Sequence, residues 1–274
     1  MSPGEPDGGA ALDNRDAAGR TKAVDVSITI EAPPEAVWRA ISDAEELQRW
    51  FPLSAAIEPG AGGTVTLAWG PDVAGTATIE VWEEGRHLRY VEGPAGGEDE
   101  AARVAVDYFI EGRGETTVLR VVSSGFSADD DWAEYIDTID SGWRYFLFNL
   151  KHYLERHPGT PRRMVWERRK ISIPKGEAWP LLFGPGGLVS TSLPASAGGA
   201  ARLWSGHAAV VTMSKPPIHL ACRCEELNDA LLLVELEPGS GEYSLGVWLS
   251  LYGLAEEAAR QLEGSLRDCL GRLV

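Results

Sequence analysis

ITIEAPPEAVWRAI, from Ile28 to Ile41, has an echo in ISIPKGEAWPLLF, from Ile171 to Phe183. In both, a short β-branched run meets proline, and a Glu-Ala pair then leads into tryptophan. Ile30 to Trp38 and Ile171 to Trp179 are the same distance in sequence. The alternation in VDVSITIEA marks a strand, and proline suits the first turn of the helix that follows. The chain therefore reads as strand-then-helix, written twice.

Other stretches repeat in the same order. GTATIEVWEEGRHL starts at Gly75 and GHAAVVTMSKPPIHL at Gly206, with one inserted residue before His-Leu in the second. Strand-like runs broken by turn residues follow the first helix: LSAAIEP, GTVTLAW, GTATIEVWEEG, RHLRYVE, ARVAVDYFIEG and ETTVLRVVSSG. Period two points Val65, Leu67 and Trp69, then Ala77, Ile79 and Val81, then Leu88, Tyr90, Val104, Val106, Tyr108 and Ile110 inward. SADDDWAEYIDTIDSGWRYFLFNLKHYLERH predicts a long helix with Trp132, Ile136, Ile139, Trp143, Phe146, Leu147, Leu150 and Leu154 on one stripe. Asp129, Asp130 and Asp131 suit its N-terminus better than a metal, because consecutive helical residues point apart.

The second half continues with GHAAVVTMS, PIHLACRCEE, DALLLVELEP and GEYSLGVWLSLYG as strands. A closing helix follows, with Leu254, Ala258, Leu262, Leu266, Cys269 and Leu273 on one face. It lacks a counterpart of AEELQRWF. An internal repeat of this kind is architecture before it is function. An abbreviated copy also exposes apolar surface, so the two halves are expected to pack together and unfold as one.

Charge is unevenly placed. Residues 1–160 hold 29 Asp and Glu against 13 Lys and Arg, whereas residues 161–274 hold 12 of each. An acidic half repels phosphate backbones, which argues against nucleic acid as a partner. The basic run Arg162, Arg163, Arg168, Arg169 and Lys170 reads as a junction meeting acidic neighbours in its own chain. Three cysteines without framework spacing suit a reducing, cytoplasmic setting, and Cys222 and Cys224 read as small buried hydrophobes. No apolar run is long enough for a membrane span. The Gly-, Pro- and Asp-rich start, residues 1–22, reads as a disordered tail.

IEAPPEAVWRAISDAEELQRWF, GTATIEVWEEGRHLRY and SGFSADDDWAEYIDTIDSGWRYFLFNLKHYLE, in that order, resemble the Hsp90-ATPase-activator-homologue branch of the START-like (SRPBCC) superfamily. The likeness covers about residues 25–157; the second half resembles the superfamily only in layout. It implies an α+β helix-grip fold, a curved antiparallel sheet around a long C-terminal helix, present here as a tandem pair. The expected division is a START-like domain at 23–158, a linker at 159–167 and an abbreviated START-like domain at 168–274. It also implies a hydrophobic cavity between sheet and helix. A bowed sheet cannot close flush on a straight helix, so bulky side chains or a ligand must fill the gap. Trp69, Val81, Tyr90, Tyr108, Trp143, Phe146 and Leu147 are the residues expected to line it.

Catalytic signatures are sparse. G-x-S-x-G, P-loop, H-E-x-x-H and C-x-x-C patterns do not occur, and GPGG at 184–187 and GAGG at 60–63 read as turns. His87 and His219 occupy matching repeat positions, which fits a preserved turn. Asp107 and Glu111 fall on the face opposite Tyr108, away from the expected cavity. No catalytic residue, metal or cofactor is expected. The leading expectation is a noncatalytic protein that holds a small hydrophobic molecule. The alternatives are a co-chaperone-like module acting on an Hsp90-type ATPase, and a cyclase- or hydrolase-like enzyme of the same fold.

Overall fold

The computed structural model describes residues 21–70, 73–92, 104–127, 133–237 and 243–273. The expected tail up to residue 20, the acidic run Asp129–Asp131 and Trp132 lie outside the described residues.

The first half runs β1 (Thr21–Ile30), α1 (Pro34–Ser42), α2 (Ala44–Gln48), β2 (Ser54–Ile57), β3 (Thr64–Gly70), β4 (Val73–Glu83), β5 (His87–Glu92), β6 (Ala105–Arg113), β7 (Thr116–Ser127) and α3 (Ala133–Arg156). The second half runs β8 (Arg162–Ile171), α4 (Lys175–Phe183), β9 (Val189–Thr191), β10 (Ala200–Leu203), β11 (Ala208–Lys215), β12 (His219–Cys224), β13 (Ala230–Glu237), β14 (Tyr243–Tyr252) and α5 (Glu256–Leu273). Each half makes an antiparallel sheet of seven strands, ordered β1-β7-β6-β5-β4-β3-β2 and β8-β14-β13-β12-β11-β10-β9. The chain is a tandem pair of helix-grip folds.

The repeat extends to individual residues. α1 and α4 each have nine residues, each follows a proline at the N-cap, and each buries the tryptophan at its fifth position, Trp38 or Trp179. Both central hairpins carry a bulge at the same place. Ile79 faces Tyr90 but Val81 faces Arg89, and Val211 faces Cys222 but Met213 faces Ala221. A shared bulge is a feature of the fold, since it sets where the sheet bends.

Three expectations need correction. The expected linker at 159–167 is mostly strand, because β8 begins at Arg162 and pairs along its length with β14. The second half is less abbreviated than it reads: β9 and β10 complete its sheet, and α2 is the element it lacks. On α5 the buried position is Ala259, not Ala258, and the helix starts after Leu254.

The halves meet over α3. Trp143, Leu147, Leu150 and Leu154 face the first sheet's core. On another side, Tyr145 joins Ala221, Leu233 and Trp248 from the outer face of the second sheet, with Trp166 and Met213 around them. Period two explains why this sheet can serve two cores: Leu220, Cys222, Leu232 and Val234 point toward α5, while their neighbours point toward α3. Polar groups close the seam. The Lys215 amine donates to the Ser141 hydroxyl (2.9 Å), and His152 Nε2 lies 2.7 Å from the Asp229 carbonyl.

Candidate functional site

Between β3, β4, β5 and α3 lies a cavity of about 100 Å³, lined by Phe51, Val65, Leu67, Trp69, Gly75, Thr76, Ala77, Tyr90, Glu92, Val106 and Trp143. Leu67 and Trp69 alternate along β3 and Tyr90 and Glu92 along β5, so period two aims each pair at one space.

Of the residues expected to line the cavity, Trp69, Tyr90 and Trp143 do so. Tyr108 stands behind, buried, with its hydroxyl 3.0 Å from that of Tyr90 and its ring edge-on to Trp143 at 5.8 Å. Phe146 packs against Phe51 at 4.7 Å, and Leu147 is buried in the core beyond the cavity wall. Val81 is the misplaced one. The bulge after Ile79 turns it to the register of Arg89, and Trp82 takes the inward place, edge-on to Trp38 at 5.2 Å.

Phe51 is the residue that sequence reasoning missed. Its ring contacts Trp69 at 5.3 Å, Trp143 at 5.9 Å and Trp50 at 5.0 Å, which makes it the hub of the aromatic wall. Both halves hold it. Its amide donates to the Leu47 carbonyl (2.8 Å), and Arg162 Nη2 of the second half donates to the carbonyls of Phe51 (3.1 Å) and Pro52 (2.7 Å). A signal was present: Trp50-Phe51 closes AEELQRWF, the one segment with no copy in the second half.

Tyr90, backed by Tyr108, is one polar part of the wall. Burial pushes both phenols up from their ordinary range, so both stay protonated. Glu92, exposed at the rim, is the charged lining residue, and loss of part of its hydration raises its carboxyl. The bulges align Tyr90 with Cys222, and Tyr108 with Val234. The hydroxyl pair therefore has no counterpart in the second half, whose core there is aliphatic and thiol.

Groups with catalytic potential lie elsewhere. Asp107 is held on the first sheet's outer face by Arg89 (2.5 Å) and His87 (2.8 Å), and His87 stacks on Phe109. Cys222, Cys224 and Cys269 are free and buried in the second core, and burial pushes the Cys222 thiol up to about 12. Among the described residues no group of His, Cys, Asp and Glu is arranged to hold a metal, and no helix is long and apolar enough to cross a membrane. The basic junction meets acids as its sequence suggests: Arg163 pairs with Glu256 (2.7 Å) and Glu263 (2.8 Å).

A bowed sheet gripping a long helix around a partly apolar hollow defines a START-like domain. Residues 31–155 match the family described as Activator of Hsp90 ATPase homolog 1-like protein. No curated protein matches the chain. Among solved structures, the protein MLL2253 from Mesorhizobium loti is 23% identical over 50% of this chain and 98% of its own, with a TM-score of 0.42. The Aha1 dimer from Colwellia psychrerythraea is 18% identical over 50% of this chain and 99% of its own, with a TM-score of 0.42. The di-domain ARO/CYC BexL from the BE-7585A biosynthetic pathway is 14% identical over 92% of this chain and 95% of its own, with a TM-score of 0.44.

Proposed function

We propose that the first half is a noncatalytic receptor for a small hydrophobic molecule held between β3–β5 and α3, and that the second half serves as its buttress. The observation that carries this reading is the cavity itself, walled by Phe51, Trp69 and Trp143. Protein interiors ordinarily close such spaces, and a concave apolar site with a few polar groups is where a ligand is expected. The volume sets the scale. Ligand pockets for drug-sized molecules run from roughly 300 Å³ upward, while an engineered apolar cavity of about 150 Å³ takes benzene. At about 100 Å³ this site suits one ring, with slight yielding of its rim.

The test is to fill the hollow from within. Ala77 is buried on its wall, and Ala77→Leu occupies the space a ligand would use. Protein from its native host, weighed intact under non-denaturing conditions, should carry added mass that the variant lacks. Equal retention by both would remove the reading.

A further inference from the structure

The polar atoms around the cavity say what the ligand must bring. Tyr90 and Tyr108 have two hydroxyl protons and one hydrogen bond between them. Both are buried, at 6% and 2% exposure, so the second proton is a donor without a protein partner among the described residues. Trp69 also lines the cavity, and its buried indole Nε1–H has no partner among the described residues. The buried unmet groups here are thus donors, while the acceptor oxygens of Glu92 lie at the exposed rim. A buried donor left unpaired costs about 1–3 kcal/mol, so an incoming acceptor atom recovers a real penalty.

A carboxylate would also bring acceptors, but the wall opposes it. Among the described residues the lining contains Glu92 and no lysine, arginine or histidine. An anion entering here would lose its water and meet a like charge without a compensating cation.

Resting on the reading of the cavity as a ligand site, we propose that its ligand is a neutral single-ring molecule with one hydrogen-bond-accepting oxygen. The ring lies against Phe51, Trp69 and Trp143, and the oxygen accepts from the Tyr90–Tyr108 pair. Glu92 is the specificity residue that turns carboxylates away.

Three probes of nearly one shape separate the terms: toluene, phenol and benzoate, titrated into the full chain and followed by saturation-transfer NMR and calorimetry. Phenol should bind about tenfold tighter than its isostere toluene, the worth of one hydrogen bond to an otherwise unpaired donor. Tyr90→Phe should bring phenol down to the toluene level while leaving toluene unchanged. Benzoate should be the weakest probe, and Glu92→Gln should strengthen it by about tenfold, as loss of a nearby like charge predicts. The toluene–phenol comparison in the unaltered protein needs no variant to fold. Toluene binding as tightly as phenol, or a phenol preference that survives Tyr90→Phe, overturns the oxygen assignment and leaves the cavity reading standing. Benzoate binding as well as phenol before Glu92 is changed overturns the charge filter. If none of the three binds, both this inference and the receptor reading fall.

Discussion

The ring of Tyr252, near the end of the second half, stacks on the imidazole of His157 with centroids 4.3 Å apart and planes 7° from parallel. The same tyrosine is fully buried in the first half's core and donates its hydroxyl to the Arg49 carbonyl (2.8 Å). One side chain thus belongs to both halves. Tyr252→Ala should cost about 3–5 kcal/mol, as for other large buried aromatics. Urea unfolding followed separately by tryptophan fluorescence and far-UV circular dichroism should give one coincident transition. Two resolved transitions would show that the halves are energetically separate.

Acid should loosen the same seam. Burial lowers His152 to about 4, and it lowers His157 as well. Asp229 and Arg156 face both rings, and Tyr252 lies against His157. A group whose folded value is depressed favours folding while it is neutral. The unfolded chain takes the proton first, near pH 6.5, so stability is full above that value and falls as pH drops toward 4. For His152 alone the loss approaches roughly 3 kcal/mol at the acid end. Denaturation midpoints measured between pH 7.5 and pH 4.5 should slope accordingly, and His152→Leu should flatten the slope. An unchanged slope in that variant would remove His152 as its source.

Two glycines should respond to alanine with opposite signs. Among the described residues, a Cβ on Gly142, inside α3, would meet only the Phe146 ring at 3.8 Å, an ordinary contact. Gly142→Ala should therefore stabilise the protein by about 1 kcal/mol through helix propensity. A Cβ on Gly112 in β6 would lie 2.6 Å from Cγ of Pro34, a stiff ring at the start of α1. Gly112→Ala should destabilise by roughly 1–3 kcal/mol. Thermal melts of the two variants side by side check both signs.

The thiols should be silent. Cys222, Cys224 and Cys269 are 1%, 1% and 4% exposed, and burial raises all three. An aromatic disulfide reagent should titrate none of them in the native protein and all three in denaturant. Rapid native labelling would mean that the second core opens.

Much of this arrangement was readable from the chain because local chemistry and global fold agree. Pro33-Pro34 and Pro174 each stand at the start of a helix, and the Trp143–Leu154 stripe keeps helical period over several turns. Reading failed where a distant segment decides the outcome. Val81 was lost to a bulge, which displaces one residue and reverses every later side chain on β4. The three residues of β9 carry too short a pattern to stand out from the turn residues around them. The second buried face of α3 was hidden because Ser141 and His152 look like surface polars. Their partners, Lys215 and the Asp229 backbone, come from far along the chain. Phe51 escaped for a related reason: its place on the cavity wall is fixed by α2 and by Arg162, not by any period of its own.

A long helix clasped from two directions is a poor hinge. Tilting α3 to widen the hollow would pull Tyr145 from Trp248 on one side while shifting Leu150 on the other. Breathing of the chamber is thereby left to the sheet's outlying margin, where the short edge strand β2 pairs only with β3. On the proposed receptor reading, a guest would enter past that margin, with the helix as fixed masonry.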